Sequence, residues 1–225
     1  MSLLERMRGG LIVSVQAWRG SALDDPHVIA AMARASEANG AVALRVAGSE
    51  HLRAVRACVA LPIVGLIKRE YPGFEPYITP TLDEVREILA TGAEIVAFDA
   101  TPRRRPEGAR LGDIIGAIHA QGRLALADCA TADDARAAAG LGADALATTL
   151  CGYTAETAGH RLPALDLVAE FATLPSFAIC EGGVRSPGDV RAALDAGADA
   201  VVVGSAITNV DWLVREFAGA ADRVS

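Results

Sequence analysis

The chain has 225 residues, 52% of them apolar, with a formal net charge of −7 and a pI near 5.1. That acidic balance, interrupted by one basic cluster at TPRRRPEGAR (101–110), excludes a nucleic-acid surface, which needs a clustered basic face. The charged start MSLLERMRGG lacks the apolar stretch of a signal peptide, and no eighteen apolar residues run together, so a soluble cytoplasmic protein with no membrane partner is expected.

In chain order, short β-rich apolar runs alternate with amphipathic stretches. The runs are LIVSVQ (11–16), AVALRV (41–46), PIVGLIK (62–68), EIVAFDA (94–100), RLALADC (123–129), ALATTL (145–150), SFAICEG (176–182) and AVVVGSA (200–206). Helical candidates such as DEVREILATG and PGDVRAALDAG lie between them, each ending at a glycine suited to a helix C-terminus. Such alternation is the pattern of repeated βα units on a parallel sheet. An internal echo supports it: NGAVALR, TGAEIVAFD, LGADALATT and AGADAVVVG recur at Gly40, Gly92, Gly142 and Gly197, each leading into an even-numbered run. Four doubled units make eight strands, so a (β/α)8 TIM barrel in a single domain, 1–225, is predicted. An open doubly wound sheet competes, but no GxGxxG follows the first run.

Active sites of such barrels lie at the C-terminal ends of the strands. Those ends are polar here: Gln16, Arg45, Lys68, Asp99, Asp128, Thr148 with Thr149, Glu181, and Gly204 with Ser205. A single one of these commonly caps a helix; a whole ring of them points to a site. Cys58, Cys129, Cys151 and Cys180 have no CxxC spacing and the four histidines no ligand spacing, so free thiols and no metal are expected.

Lys68 is the only lysine in the chain; the other twenty basic residues are arginines. Lysine, unlike arginine, can lose its proton when buried and then serve as a base or a Schiff-base nucleophile. Runs three and seven are four apart in a ring of eight, so Lys68 and Glu181 are expected to flank a substrate, one removing a proton and the other returning it. The apolar run and Arg45 push the Lys68 pKa down, and Asp128 and Glu181 oppose them. The loops EGGVRSPGD and VGSAITN, after runs seven and eight, offer backbone N–H groups at Gly182, Gly183, Gly204 and Ser205 for a phosphate.

The segments VQA (15–17), GAVALR (40–45), GLIKREYP (65–72), FDATPRRRP (98–106), LADCAT (126–131), TTLCGYT (148–154), EGG (181–183) and VVVGSAIT (201–208) together resemble the N-acetylmannosamine-6-phosphate 2-epimerases, also called N-acylglucosamine-6-phosphate 2-epimerases. The resemblance runs through nearly the whole chain. It implies a cofactor-independent barrel enzyme, commonly a homodimer, that interconverts two amino-sugar phosphates in sialic acid catabolism. It further implies Lys68 as the base, Glu181 as its acid partner, and Gln16, Arg45 and Asp128 as sugar-holding residues; Thr149 is counted with them.

The chain departs from the family at two points. RVAG (45–48) lacks an Asn after the second-run Arg, and Asn209 stands where an Arg helps to hold phosphate. Weaker phosphate affinity, offset by Arg185, is therefore expected. Three alternatives stay open on the residues alone: a Schiff-base aldolase acting through Lys68, a metal-dependent sugar-phosphate epimerase, and a non-catalytic sugar-phosphate-binding barrel. The second fits less well because no histidine sits at a strand end.

Overall fold

In the computed structural model, which describes residues 1–221, eight parallel strands close on themselves in chain order. They are β1 (Gly10–Val15), β2 (Ala43–Ala47), β3 (Ile63–Leu66), β4 (Ile95–Asp99), β5 (Leu124–Asp128), β6 (Ala145–Ala147), β7 (Phe177–Cys180) and β8 (Ala200–Val203). The single-domain expectation for 1–225 includes residues 222–225, which lie outside the described residues.

A short helix α1 (Leu3–Met7) crosses below β1, and the outer ring comprises α2 (Pro26–Ala38), α3 (Ser49–Arg56), α4 (Leu82–Leu89), α5 (Leu111–His119), α6 (Ala132–Gly140), α7 (Leu165–Phe171) and α8 (Pro187–Asp195). Two more, α9 (Ser205–Thr208) and α10 (Val210–Ala221), follow β8. Among the described residues no helix is long and apolar enough to cross a membrane.

The helix starts are written in the sequence. Thr81 with Glu84, Thr131 with Asp134 and Ser186 with Asp189 form reciprocal capping boxes at α4, α6 and α8. The echoed glycines stop the helices. Gly40, Gly92, Gly142 and Gly197 all have φ between 86° and 105°, the left-handed region in which a side chain is strained. The repeat seen in the sequence is thus a repeated helix-ending turn before each even-numbered strand.

Alternation along the strands makes two apolar layers. Ile12, Val64, Leu66, Leu126, Ile179 and Val202 fill the barrel interior, while Val13, Leu44, Ile63, Val96, Phe98 and Leu146 pack outward against the helices. Except at β1, the observed strands are shorter than the apolar runs that predict them; β3 stops at Leu66 rather than Lys68. Beyond that point the chain returning from the β3–α4 loop takes up the pairing.

Candidate active site

Each inward-facing series, extended toward the C-terminal end of its strand, reaches a polar side chain, except that of β8, which reaches a glycine. Ile12 leads through Ser14 to Gln16, Ala43 to Arg45, Leu66 to Lys68, Ala97 to Asp99, Leu126 to Asp128, Ala147 to Thr149, Ile179 to Glu181 and Val202 to Gly204. Thr148 and Ser205 have the opposite parity and therefore do other work. Thr148 Oγ1 donates to the Glu181 carbonyl at 2.8 Å and accepts from its N–H at 3.0 Å, which fixes the end of β7. Ser205 opens α9 and is exposed.

The centre is Arg45, 1% exposed, lying on β2. Its Nη2 donates to Asp128 Oδ2 at 2.8 Å, and its Nε lies 3.2 Å from Glu181 Oε1. Burial alone would lower the Arg45 pKa, but the two carboxylates outweigh it and hold the guanidinium charged. Its Nη1 is buried with no hydrogen-bond partner, as is Gln16 Oε1. A buried polar atom without a partner is costly, so both are left with unmet hydrogen-bonding capacity beside the mouth. Gln16 Nε2 donates to Ser14 Oγ at 2.8 Å.

Thr149 Oγ1 lies 2.6 Å from Asp128 Oδ1 and 3.2 Å from Glu181 Oε2. A hydroxyl has one hydrogen to donate. The shorter contact takes it, and the second is satisfied when Glu181 carries a proton. Electrostatics point the same way: burial pushes the Glu181 pKa up, Arg45 opposes, and the neighbouring Asp128 pushes it up again. The Asp128 pKa is also raised, by burial, against the pull of Arg45.

Lys68 moves in the other direction. Burial and then the Arg45 charge lower its pKa, against Glu181 and Asp128. By surface area the residue is exposed at the open mouth, yet protein surrounds its side chain, and it is this surrounding that sets the direction of the shift. Lys68 belongs to none of the ion pairs among the described residues, whereas Glu181 is held on the far side of the ring by Arg45. The two shifts run in opposite directions: the Lys68 amine gives up its proton more readily than an ordinary lysine, and the Glu181 carboxyl holds one more tightly than an ordinary glutamate.

Asp99 is also buried, but Arg103 Nη2 neutralises it at 2.7 Å and its other oxygen accepts from Thr101 N and Oγ1. Arg103 and Arg105 of the basic cluster are thereby engaged internally. Of the candidate phosphate groups, Gly183 has φ 72°, and a Cβ there would meet Leu162 Cβ at 2.3 Å, so the turn itself demands glycine. A Cβ at Gly204 would approach that of Ser14 to 3.2 Å. The Arg185 guanidinium lies over the Trp212 ring of α10, 5.3 Å from its centroid. Asn209 Oδ1 accepts from Trp212 N at 2.9 Å and so caps the start of α10.

The sequence reading missed Ser14 and Tyr77. Ser14 was detectable as a polar residue two positions before Gln16 on the same strand face. Tyr77 carried no comparable signal: it comes from the long β3–α4 loop, and its hydroxyl pKa is raised by burial and by Asp128, with Asp99 adding to it.

The family model described as "Putative N-acetylmannosamine-6-phosphate epimerase" matches residues 29–223. A protein of Clostridium perfringens (strain SM101 / Type A) named "Putative N-acetylmannosamine-6-phosphate 2-epimerase" is 40% identical over 216 residues, 96% of this chain and 98% of that one. One of the same name from Klebsiella pneumoniae subsp. pneumoniae is 45% identical over 208 residues, covering 92% and 88%. A solved structure of the N-acetylmannosamine-6-phosphate 2-epimerase from Clostridium perfringens overlays this fold with a TM-score of 0.95 at 39% identity, covering 98% of this chain and 96% of that one.

Proposed function

The chain belongs to the N-acetylmannosamine-6-phosphate epimerase family, and from that premise we propose that it interconverts N-acetylmannosamine 6-phosphate and N-acetylglucosamine 6-phosphate. It is an isomerase that removes the C2 proton and returns one to the opposite face, without a cofactor, in amino-sugar and sialic acid breakdown. The observation that carries this reading is the opposed pair: Lys68 with its pKa pushed down and Glu181 with its pKa pushed up, on strands four apart in the ring.

The C2 proton of the sugar is acidic enough to remove only while C1 is an open-chain carbonyl. Neutral Lys68 takes that proton, negative charge develops on the carbonyl oxygen, and the unpartnered Nη1 of Arg45 meets it. Glu181 gives its proton to the other face and inverts C2. The reverse reaction exchanges the roles. Asp128 and Thr149 hold Arg45 and Glu181 in place, and Gln16 Oε1 accepts from a sugar hydroxyl. The phosphate rests on the backbone N–H groups of Gly183, Gly204 and Ser205, with Arg185, whose guanidinium lies over the Trp212 ring, as the cation on the loop after β7. Asn209, in place of an arginine, has been given over to capping α10.

The same reading makes the protein a single-domain cytoplasmic enzyme and a homodimer. Support for the dimer comes from α10, which has no buried residue and exposes Val210, Val214 and Phe217 by 48%, 60% and 75%. A direct test compares N-acetylmannosamine with its 6-phosphate. The phosphate is expected to be turned over with a kcat/KM at least ~100-fold higher, from charge-assisted hydrogen bonds together worth about 3 kcal/mol. Equal efficiency for the two sugars would remove the phosphate site, and with it this substrate.

A further inference from the structure

We propose that Thr79 is a positioning residue that sets the reach of Lys68 into the mouth, through a hydroxyl wedged between β3 and β4. The inference rests on the reading of Lys68 as the base. Direct pairing of these two strands ends at Gly65 opposite Val96. Above that level the returning segment Tyr77–Thr79 slots between them: Thr79 N donates to Ile67 O at 2.7 Å, Arg69 N to Tyr77 O at 2.9 Å, and Asp99 N to Ile78 O at 2.9 Å. Lys68 therefore pairs antiparallel with Ile78 instead of lying free at a strand end.

Thr79 closes the wedge. Its Oγ1 accepts from Ile67 N at 3.2 Å and donates to Ala97 O at 2.7 Å, standing in for the ladder bond that β3 and β4 can no longer make. The residue is 0% exposed and has φ 45°. A β-branched side chain in the left-handed region is a backbone outlier, and such outliers persist only where the surrounding structure holds them. Nothing about the fold as a barrel calls for one here. Ile78 lies opposite Lys68, whose chain neighbours Ile67 and Arg69 carry the bonds to Thr79 and Tyr77, and the Lys68 amine faces Arg45 on β2, Asp128 on β5 and Glu181 after β7. Slackening the wedge lets the amine move outward, away from Arg45 and into water.

Because Lys68 is the only lysine, lysine labelled with 13C at Cε gives one resonance whose titration reads this amine directly, without catalysis. Thr79→Gly suits φ 45° but deletes the hydroxyl; Thr79→Ser keeps it. The glycine variant is expected to lose at least ~10-fold in kcat with KM within about twofold, and its titration midpoint is expected to rise toward 10.5, the ordinary lysine value. The acid limb of its kcat profile should follow. Thr79→Ser should match the parent within about threefold in kcat, with an unmoved midpoint. Thr79→Ala, read in the same way, stands in if the glycine variant does not fold. Parental kcat and midpoint in the hydroxyl-deleted variant, or equal losses in the serine variant, would overturn the role of Thr79 and leave Lys68 untouched. An ordinary midpoint in the parent would instead overturn Lys68 as the base.

Discussion

Replacing Lys68 by arginine keeps a positive charge on the same strand end but removes the proton that can leave near neutral pH. Lys68→Arg and Lys68→Met are therefore both expected to fold and to be nearly inactive. A kcat for the arginine variant above about a tenth of the parent's, a loss under roughly 1.4 kcal/mol, would mean that Lys68 is not the base. Lys68 and Glu181 were legible in the sequence because strand ends and ring order place them. The finer residue-level facts were not. That Arg45 sits between Asp128 and Glu181, and that Thr149 spans the same two carboxylates, depends on side-chain lengths crossing the barrel. No spacing along the chain encodes that. The parity that separates Thr149 from Thr148 was available in principle, since neighbouring residues of a strand face opposite ways.

The elements that hold Lys68 extend beyond its own strand. Arg69 Nη1 and Tyr71 Oη both reach Glu84 Oε1, at 2.5 and 2.8 Å, and the other Glu84 oxygen completes the α4 capping box with Thr81 N at 2.9 Å. In the KREYP motif Lys68 is thus followed by two anchors, Arg69 and Tyr71. Burial pushes the Glu84 pKa up, but hydrogen bonds from Thr81 and Tyr71 and the charge of Arg69 together bring it below the ordinary 4.5. A carboxyl depressed in the folded state contributes stability above its unfolded pKa and loses that contribution as pH falls through the folded value. Glu84→Gln should then cost about 2 kcal/mol at pH 7 in urea unfolding, with the gap to the parent narrowing below pH 4.5. A gap independent of pH would show that the charge of Glu84 is not what holds the loop. The helix stop beside this network was read from Gly92, whereas its start, the capping box of Thr81 with Glu84, was not. The wedge of Tyr77–Thr79 was not, because an antiparallel insertion between parallel strands follows from the path of a long loop, and loops carry no periodicity.

For the whole molecule, closing the barrel is what brings polar residues from seven separate strand ends to one mouth, and the doubled glycine echo made that closure legible in the sequence. The face proposed for a dimer is less legible, since the apolar stripe of α10 reads in sequence like any other outer helix. Unlike α2 to α8, each of which buries at least one residue, it buries none. Val214→Glu with Phe217→Glu should convert a dimer to a monomer in sedimentation equilibrium, because a charge in an apolar interface is left unpaired. An unchanged mass, whether of monomer or dimer, would remove that face from the assembly. Catalysis itself is tested most directly by incubating the protein with N-acetylmannosamine 6-phosphate in D2O and following C2 by NMR. Proton abstraction by a side chain that exchanges with solvent predicts N-acetylglucosamine 6-phosphate carrying deuterium at C2, and loss of both turnover and exchange in Lys68→Arg. Neither turnover nor C2 exchange with either epimer in the parent protein would contradict the account.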